Sequence, residues 1–398
     1  MTVWLPVFII NFQKNFYCER LCCDKAVRKA IKSVLTIKGF QEDTDSDDKI
    51  RLSLFMPEQS KKENPLLARG LAFCSAKLGG KSSARQRARI LLRKTRRIDM
   101  LLQHERIWIT GAQGQVGSAF ARMLDTTELD VLLTDIDEVD ITDMDAVRNY
   151  AEMYRPDCVI NCAGICGPAF CEENSDLAYK VNAVGARNLS VAARSVHAEL
   201  VQISTDDIFD GRASEPYNEF STPMPVTVYG KSKLAGEEFV KTIAPKFLII
   251  RSSWVYGDGE NFVTQLLRRA ETENCIRVPG DQLGAPTSAD EVAKVIYRLL
   301  EKDAYGLYHA VCGGVCSRYE FARRILTLAG KNTEILKADS AGENGHPSYA
   351  VLDNLMLRLD DIELPVSWEE ALRAYMNKTR RGGCRAAVTT LETEVTVP

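Results

Sequence analysis

The eight residues Thr110–Gly117, "TGAQGQVG", decide the fold. They join an apolar run at 106–110, "RIWIT", to a helical pattern that begins "VGSAFARMLD". Glycine recurs at every third position, which is typical of a dinucleotide-binding loop when it lies between a strand and a helix. The first glycine permits a tight turn, the second lets a pyrophosphate approach the backbone, and the third lets the helix pack closely on the strand. The sequence therefore predicts a dinucleotide site at the N-terminus of the first helix.

Strand and helix patterns alternate after this loop. "VLLTD", "CVINCAG", "ELVQIST" and "FLIIRSS" predict strands, and helical patterns such as "DMDAVRNYAEMY" and "SDLAYKVNAVGARNLSVAARSV" separate them. This alternation predicts an α/β fold of the Rossmann type, a doubly wound parallel sheet over residues 105–375. From about residue 255 the order loosens, which indicates a smaller C-terminal substrate-binding lobe. Residues 376–398 lack periodicity and are interpreted as a tail.

The predicted cofactor contacts extend from the glycine loop to the ends of neighbouring strands. Asp135 ends "VLLTD", where an acid can bind the ribose 2′-hydroxyl and would repel a 2′-phosphate. We therefore expect NADH or NADPH as cofactor, with NADH favoured. Asp140 and Ile141 follow near the expected position of the adenine. The complete predicted set is Gly111, Gln113, Gly114, Gln115, Val116, Gly117, Asp135, Asp140, Ile141, Ala163, Tyr229 and Lys233.

A second group of residues predicts acid–base chemistry. Tyr229 and Lys233 open a helical pattern four residues apart, so they share one helix face. An ammonium beside a phenol stabilises the phenolate and lowers its pKa from about 10. Thr205, at the end of "ELVQIST", would hydrogen-bond a substrate carbonyl while Tyr229 donates the proton and a nicotinamide supplies the hydride. These three residues are the predicted catalytic set.

Composition places the chain among ordinary globular proteins. Of its 398 residues 45% are hydrophobic and 26% are charged, and the net charge is −3. Such a length suits two domains or one large α/β unit with an appendage, and the charge gives no reason to expect nucleic acid or a membrane as partner. The twelve cysteines include no C-x-x-C pair, which favours reduced thiols. The apolar stretch 1–12 is too short to span a bilayer and lacks a basic flank, so we expect a cytoplasmic protein.

Residues 1–104 differ from the rest and are interpreted as a poorly ordered or partly helical extension. A basic run, "KSSARQRARILLRKTRR", raises the hypothesis of a helix that binds nucleic acid or a membrane, but a solvated extension is favoured. Met100 leaves open whether translation starts there. Cys18, Cys22 and Cys23 lack a second ligand pair, and no metal site is predicted from them.

Several motifs together resemble a known family. "TGAQGQVG", "STDDIFDG" at 204–211 and "YGKSK" at 229–233 are similar to the extended short-chain dehydrogenases/reductases, and "RSSWVYGDGENFV", "VPGDQLGAPTSADEVA" and "GLYHAVCGGVCSRYEFARRIL" narrow the resemblance to the dTDP-4-dehydrorhamnose reductases. The resemblance implies reduction of the 4-keto group of dTDP-4-dehydro-6-deoxy-L-mannose to give dTDP-L-rhamnose. It implies the same catalytic set, Thr205, Tyr229 and Lys233. The substrate-binding residues that it implies are Asp206, Asp207, Trp254, Asp281 and Gln282.

Two positions depart from the family pattern. The family usually reads Thr-Asp-Tyr where this chain has Asp207, and an Arg-Pro pair where this chain has His346 and Pro347. The related 4,6-dehydratases carry Thr-Asp-Glu, but the Asp207 side chain is one methylene shorter than that Glu. We therefore favour a pocket-lining role for Asp207 over acid–base work, and a reductase over a dehydratase or epimerase.

Three alternatives stay open from the sequence. The regulatory β subunit of methionine adenosyltransferase resembles these reductases, so a dinucleotide-binding protein without turnover is one. A homodimer is the second. The third is a Mg²⁺-assisted dimer contact through Glu172 and Glu173, as some of these reductases form, although a solvated helix start is favoured for that pair.

Overall fold

The computed structural model describes residues 106–124, 129–339 and 347–379, together with the backbone of two N-terminal strands, β1 (Phe40–Asp45) and β2 (Lys49–Leu54). The chain divides into two compact units, Met1–Arg93 and Lys94–Pro398. In the first unit β1 and β2 pair antiparallel. The basic run at 81–97, Cys18, Cys22, Cys23 and His346 all lie outside the described residues.

A six-stranded parallel sheet forms the centre of the second unit. Its strands are β3 (Arg106–Thr110), β4 (Asp130–Thr134), β5 (Cys158–Asn161), β6 (Glu199–Thr205), β7 (Phe247–Ser252) and β12 (Gly306–His309). Four further strands lie between β7 and β12 in the sequence, outside this sheet: β8 (Val255–Tyr256), β9 (Cys275–Pro279), β10 (Leu283–Gly284) and β11 (Thr287–Ser288). Later strands are β13 (Cys316–Ser317), β14 (Glu334–Ala338) and β15 (Tyr349–Ala350). The spatial order of the sheet is β4-β3-β5-β6-β7-β12, and every neighbouring pair is parallel. The predicted parallel α/β sheet is confirmed.

Helices connect these strands. They are α1 (Gln115–Met123), α2 (Met144–Tyr154), α3 (Pro168–Glu173), α4 (Ser175–Tyr179), α5 (Ala186–Val196), α6 (Val228–Ile243), α7 (Phe262–Thr272), α8 (Ala289–Glu301), α9 (Arg318–Ala329), α10 (Leu355–Leu359) and α11 (368–379). A π-helical turn, Lys180–Gly185, joins α4 to α5 within the stretch predicted as one long helix. None of the helices in the described part of the chain has the length and apolar character needed to cross a bilayer.

Both faces of the sheet are covered, which explains why its inner strands are apolar along their whole length. On one face Ile109 packs with Phe120 of α1 and Ile296 of α8. On the other face Trp108 packs with residues of α2, α5 and α6, among them Leu189. The doubly wound arrangement therefore follows from two separate apolar layers.

The C-terminal lobe has its own core. Helices α7, α9 and α11 pack with the parallel pair β9 and β14 around Val263, Ile276, Phe321 and Leu372. The stretch after residue 255 is not all lobe, however, because α8 lies on the sheet and β12 pairs with β7. The chain leaves the sheet after β7, builds part of the lobe, returns for α8 and β12, and then completes the lobe.

The direction in which the chain adds strands reverses at β3, because β4 lies next to β3 towards one edge of the sheet and β5 lies next to it towards the other edge. In open α/β sheets ligands bind outside the carboxyl ends of the strands at such a switch point. The glycine loop follows β3, and the loops that follow β5 and β6 begin at the same end of the sheet.

Candidate active site

The glycine loop leaves no room for side chains. Gly111 has φ +67°, and a Cβ there would lie 2.5 Å from the backbone nitrogen of Ala163. A Cβ on Gly117 would lie 2.3 Å from the carbonyl oxygen of Gly111. Gly114 caps α1 without a side-chain hydrogen bond, so the N-terminal amides of this helix receive no acceptor from their cap residue. Crowded backbone and uncapped amides at a helix N-terminus suit a pyrophosphate, and the loop therefore fits the predicted dinucleotide.

The end of β4 carries two acids beside this loop. One carboxylate oxygen of Asp135 accepts from the backbone N–H of Gln113 at 3.1 Å, and the other accepts from that of Ile136 at 2.9 Å. Glu138 accepts from the backbone N–H of Asp135 at 2.8 Å. Asp135 thus lies against the loop where the adenosine ribose of a dinucleotide would lie. A 2′-phosphate there would meet two carboxylates.

The other predicted cofactor residues have different surroundings. Val116 is buried in the core, and the Gln115 side-chain amide donates to the carbonyl oxygen of Glu260 at 3.1 Å. Ile141 is also a core residue, because its side chain packs against Gly185 and its carbonyl accepts from Asn188 at 3.0 Å. The half-buried Asp140 carboxylate accepts from the backbone N–H of Thr142. A cofactor contact at 140–141 stays a prediction, and the Ile141 side chain faces the interior.

The structure brings the predicted catalytic set together. Tyr229 and Lys233 are buried on one face of α6, and Thr227 begins this helix by accepting from the N–H of Gly230 at 2.9 Å. The Lys233 ammonium donates to the carbonyl oxygen of Ile203 at 2.6 Å, two residues before Thr205 on β6. The Thr205 hydroxyl interacts with the Tyr229 phenol and lowers its pKa. A hydroxyl, a phenol and an ammonium therefore converge at the end of the fourth strand of the sheet.

The electrostatics of Tyr229 depend on its neighbours. Burial raises its pKa well above the ordinary value, and Cys166, Asp207 and Asp206 raise it further. The Thr205 hydroxyl opposes this effect and lowers the pKa. Burial also lowers the pKa of Lys233, although nearby Cys166 and Glu237 raise it. In this state of the protein the phenol is protonated, and its raised pKa is the opposite of the lowering expected from the ammonium of Lys233.

Two adjacent acids hold the turn after β6. The Thr205 hydroxyl donates to the Asp206 carboxylate at 3.1 Å and accepts from the backbone N–H of Asp207 at 3.2 Å. The other Asp206 oxygen accepts from the Ser253 hydroxyl at 2.7 Å. The Asp207 carbonyl lies so close to α6 that a Cβ on Gly230 would be 2.0 Å from it. Asp206 and Asp207 are both buried beside the Thr205 hydroxyl.

The predicted substrate residues of the lobe border this turn. Trp254 has φ +44°, which is unusual for a residue with a side chain, and a Cβ on Gly284 would lie 2.5 Å from its indole. Gln282 is buried and Asp281 is exposed, and the Gln282 carbonyl accepts from the N–H of Arg318 at 3.1 Å. The Arg318 guanidinium lies 3.6 Å from the centre of the Trp254 ring. Trp254 and the 281–284 segment are thus adjacent, and Arg318 joins them.

Sequence reasoning missed three residues of this region. Arg318 gave no signal, because an arginine at a helix start is usually a surface residue. Asn182 lies in the π turn and donates to Ser232 of α6 at 3.0 Å; a polar residue in an apolar helical stretch was its only signal. Glu237 lies one turn after Lys233 and accepts from Ser204 at 2.6 Å and from Arg251 at 2.9 and 2.7 Å. Its four-residue spacing from Lys233 could have identified it.

In the described part of the chain, no three His, Cys, Asp or Glu side chains lie in an arrangement that could bind a metal ion. Glu172 uses one carboxylate oxygen to accept from the N–H of Val228 at 2.8 Å, at the start of α6. The described cysteines are free thiols: Cys158, Cys162, Cys166, Cys171, Cys275, Cys312 and Cys316.

Comparison with known proteins agrees with this geometry. The family model described as the RmlD substrate binding domain matches residues 105–381. The chain belongs to this family. Its match covers the whole sheet and lobe, and the resemblance to dTDP-4-dehydrorhamnose reductases is confirmed.

Individual members of the RmlD family are similar over the same region. The spore coat polysaccharide biosynthesis protein SpsK of Bacillus subtilis is 36% identical over 283 residues, 70% of this chain and 99% of that protein. The crystal structure of a dTDP-4-dehydrorhamnose reductase from Clostridium acetobutylicum is 41% identical, with a TM-score of 0.68, and the match covers 69% of this chain and 99% of that one. The enzyme from Bacillus anthracis, crystallised with NADP, is 38% identical with a TM-score of 0.67 and the same coverage.

Proposed function

We propose that this protein is an NAD(P)H-dependent reductase that converts dTDP-4-dehydro-L-rhamnose to dTDP-L-rhamnose. The observation that carries the proposal is the convergence of Thr205, Tyr229 and Lys233 at a sheet edge that also presents the glycine loop. The identity of 41% to a dTDP-4-dehydrorhamnose reductase supports the substrate class.

Each residue of the set has a part in the reduction. When bound, the dihydronicotinamide supplies a hydride to C4 of the sugar. Tyr229 donates its phenolic proton to the C4 oxygen, and the ketone becomes an alcohol. The Thr205 hydroxyl, which donates to Asp206 in the free site, redirects its hydrogen bond to the same oxygen. In this proposal Lys233 stabilises the resulting phenolate and would hold the nicotinamide ribose when the cofactor is bound.

The test is oxidation of NADH and NADPH by the purified full chain with dTDP-4-dehydro-6-deoxy-L-mannose, with the product identified by chromatography. We expect dTDP-rhamnose, and we expect Tyr229→Phe to lower kcat by about 10²- to 10⁴-fold. Tyr305→Phe is the matched control, because Tyr305 is exposed and far along the chain from the site. Measurable dinucleotide binding without oxidation of either cofactor would contradict the proposal and favour a regulatory protein.

The preference for NADH is part of the proposal. The proposal is supported by Asp135, which accepts from the loop N–H of Gln113, and by Glu138, which accepts from the N–H of Asp135, because two carboxylates beside the loop would repel the additional phosphate of NADPH. We expect kcat/KM for NADH to exceed that for NADPH, and saturation curves with both cofactors measure the ratio. A higher value for NADPH would contradict this preference.

Assembly, metal use and location stay proposals. We propose a homodimer in the cytoplasm, which light scattering and fractionation of cells test directly. The Mg²⁺-assisted contact would join two copies of the chain through Glu172 and Glu173, and one carboxylate oxygen of Glu172 already accepts from the N–H of Val228. An unchanged mass and activity after treatment with EDTA would therefore argue against that contact.

A further inference from the structure

Two side chains of α6 hold consecutive residues of β6. The Lys233 ammonium donates to the carbonyl oxygen of Ile203 at 2.6 Å. One helical turn later, a carboxylate oxygen of Glu237 accepts from the Ser204 hydroxyl at 2.6 Å. Thr205 is the next and last residue of the strand, and its hydroxyl is predicted to contact the substrate carbonyl. The two hydrogen bonds therefore fix the strand to the helix immediately before Thr205.

An ion pair fixes the orientation of the Glu237 carboxylate. Arg251 donates from Nε to one oxygen of Glu237 at 2.9 Å and from a terminal nitrogen to the other oxygen at 2.7 Å. Two parallel hydrogen bonds of this kind define the geometry of a carboxylate as well as binding it. Arg251 is also the register partner of Ser204 on the neighbouring strand, so both side chains leave the same face of the sheet. The oxygen that accepts from Ser204 is therefore held by the guanidinium as well.

The ion pair lies in the interior of the protein. Glu237 and Arg251 are at most 1% exposed. Burial of two charges costs so much solvation free energy that apolar residues of similar volume often stabilise a protein equally well or better. Stability alone therefore does not explain a buried ion pair at this point of the sheet. What the ion pair provides and an apolar pair does not is an oriented acceptor for Ser204, and residues beside a reacting group require such orientation.

We propose that Glu237 is a positioning residue that sets where the Thr205 hydroxyl lies relative to Tyr229. It does so by holding Ser204, while Arg251 holds Glu237. In this role Glu237 acts through Ser204 and needs no contact with substrate or cofactor. The inference rests on the proposed function for its kinetic part. Because a displacement of about 1 Å between reacting groups lowers a rate by about a hundredfold, the smaller displacement that follows loss of this one hydrogen bond should lower it by about tenfold.

Ser204→Ala in the full chain removes the hydrogen bond between strand and helix and leaves the ion pair intact. We expect kcat for reduction of dTDP-4-dehydro-6-deoxy-L-mannose to fall about tenfold. The KM values for the sugar nucleotide and the dinucleotide should stay within about threefold of wild type, because the groups that bind them are unchanged. A wild-type kcat in this variant, or a raised KM with an unchanged kcat, would overturn the proposal.

A double variant separates positioning from a merely structural role. Glu237→Leu combined with Arg251→Met replaces the ion pair by apolar side chains and leaves no buried charge without a partner. We expect its unfolding equilibrium constant, measured in urea, to lie within about tenfold of wild type, whereas Glu237→Leu alone should unfold far more readily. The kcat of the folded double variant should stay about tenfold below wild type, because Ser204 still lacks its acceptor. A kcat that recovers together with stability would overturn the proposal.

Two control variants match these changes. Ser190→Ala removes a buried hydroxyl that donates to a carbonyl of its own helix at 2.7 Å, and it should keep the wild-type kcat. Arg269→Met combined with Glu273→Leu removes an exposed pair of α7 that has the same two-pronged geometry, and it should change neither unfolding nor kcat. Equal losses of kcat in test and control variants would overturn the proposal. If the buried double variant does not fold, Ser204→Ala and its control decide the outcome.

Crystal structures of the wild type and of Ser204→Ala provide a measurement that needs no turnover. After superposition on α6, we expect the Thr205 hydroxyl oxygen of the variant to be displaced by more than about 0.5 Å, the tolerance within which a reacting group must be held. A displaced Thr205 with no turnover in any protein, the wild type included, would reject the proposed function and support the positioning role. Wild-type turnover with an unmoved Thr205 and an unchanged kcat in the variant would support the proposed function and overturn the positioning role.

Discussion

The turn after β3 and the turn after β6 end parallel strands at the same edge of the sheet, yet they present opposite kinds of surface. The first is built on Gly111, Gly114 and Gly117 and offers backbone amides in a space where a side chain would collide. The second places Thr205, Asp206 and neighbouring groups in a buried hydrogen-bond network. A ligand site made of backbone amides depends on free space and on backbone conformation, whereas a site made of side chains depends on the neighbouring groups that orient those side chains.

The largest effect is expected beneath the second turn. Glu237 is fully buried, accepts from Ser204 of β6 and forms a two-pronged ion pair with Arg251 of β7. Burial alone would raise its pKa, but the hydrogen bonds and charge of Arg251 lower it overall. We expect Glu237→Gln to reduce the free energy of unfolding by about 3–5 kcal/mol at pH 7, because Arg251 is left buried without its partner. Urea unfolding measures this loss.

Glu238→Gln is the matched control for this change. Glu238 is the next residue on α6 and is exposed, so its loss should alter the free energy of unfolding by less than about 0.5 kcal/mol. Because the pKa of Glu237 is lowered, its contribution is present above the ordinary carboxyl range and should disappear as the pH falls below it. Equal losses for both variants would mean that the ion pair does not support the turn.

A substitution in the first turn, the glycine loop after β3, should weaken dinucleotide binding through steric collision alone. Gly111→Ala puts a Cβ 2.5 Å from the backbone of Ala163 at a positive φ, so β3 and β5 must shift at the switch point. We expect dinucleotide binding, measured by fluorescence titration, to weaken by about a hundredfold, the order of 3 kcal/mol of strain and displacement. Gly259→Ala is the control, since Gly259 also has a positive φ but has nothing within 4 Å of its Cβ position. Similar losses in both would indicate that backbone conformation rather than space is decisive.

A buried histidine beside the ion pair should make the second turn sensitive to acid. His309 has no exposed surface, its Nδ1 lies 3.0 Å from the Asp353 carbonyl, and its Nε2 has no hydrogen-bond partner among the residues that the structure describes. Burial lowers its pKa to about 3, and the charge of Arg251 contributes. The unfolded chain therefore binds a proton that the folded protein does not, and stability falls as the pH drops below about 6.5 by about 1.4 kcal/mol per pH unit.

Unfolding of His309→Asn between pH 7.5 and 5.5 checks this slope. The variant should be less stable throughout but should lack the contribution of this group to the decline. His197→Asn, at an exposed position with φ +60°, should retain the wild-type slope. An unchanged slope in His309→Asn would show that other groups cause the sensitivity to acid.

The smallest effect concerns the choice of cofactor at the first turn. Asp135→Asn keeps an acceptor for the loop amides but removes one of the two charges that a 2′-phosphate would meet. We expect the ratio of kcat/KM for NADPH to that for NADH to rise about tenfold, or 1.4 kcal/mol. Asp137→Asn alters an exposed acid two residues away and should leave the ratio unchanged. A ratio unaffected by Asp135→Asn would place the discrimination elsewhere.

The comparison of the two turns also explains what the sequence could predict. The glycine spacing, the strand before it and the helix after it are local, so the first turn and the parallel sheet could be predicted and the sheet is confirmed. Tyr229 and Lys233 share a helix face by spacing alone. Arg318 could not be found in this way, because it meets Trp254 from a helix more than sixty residues away and only the packing of the lobe brings them together. The π turn at 180–185 was also missed, since its sequence has the same apolar periodicity as the helices on either side.

The late arrival of β12 has a consequence for how the protein is made. During synthesis, a nascent chain that extends to the end of β7 contains five of the six strands of the sheet. The sixth strand, β12, pairs with β7 but emerges more than fifty residues later, after α7, β9 and α8. Contacts between segments so distant in sequence form slowly, so the apolar edge of β7 stays uncovered while the lobe is translated. The Glu237–Arg251 ion pair fastens β7 to α6 within the segment already made. The five-stranded sheet therefore contains a stabilising ion pair during the interval in which its uncovered edge is most prone to misassembly.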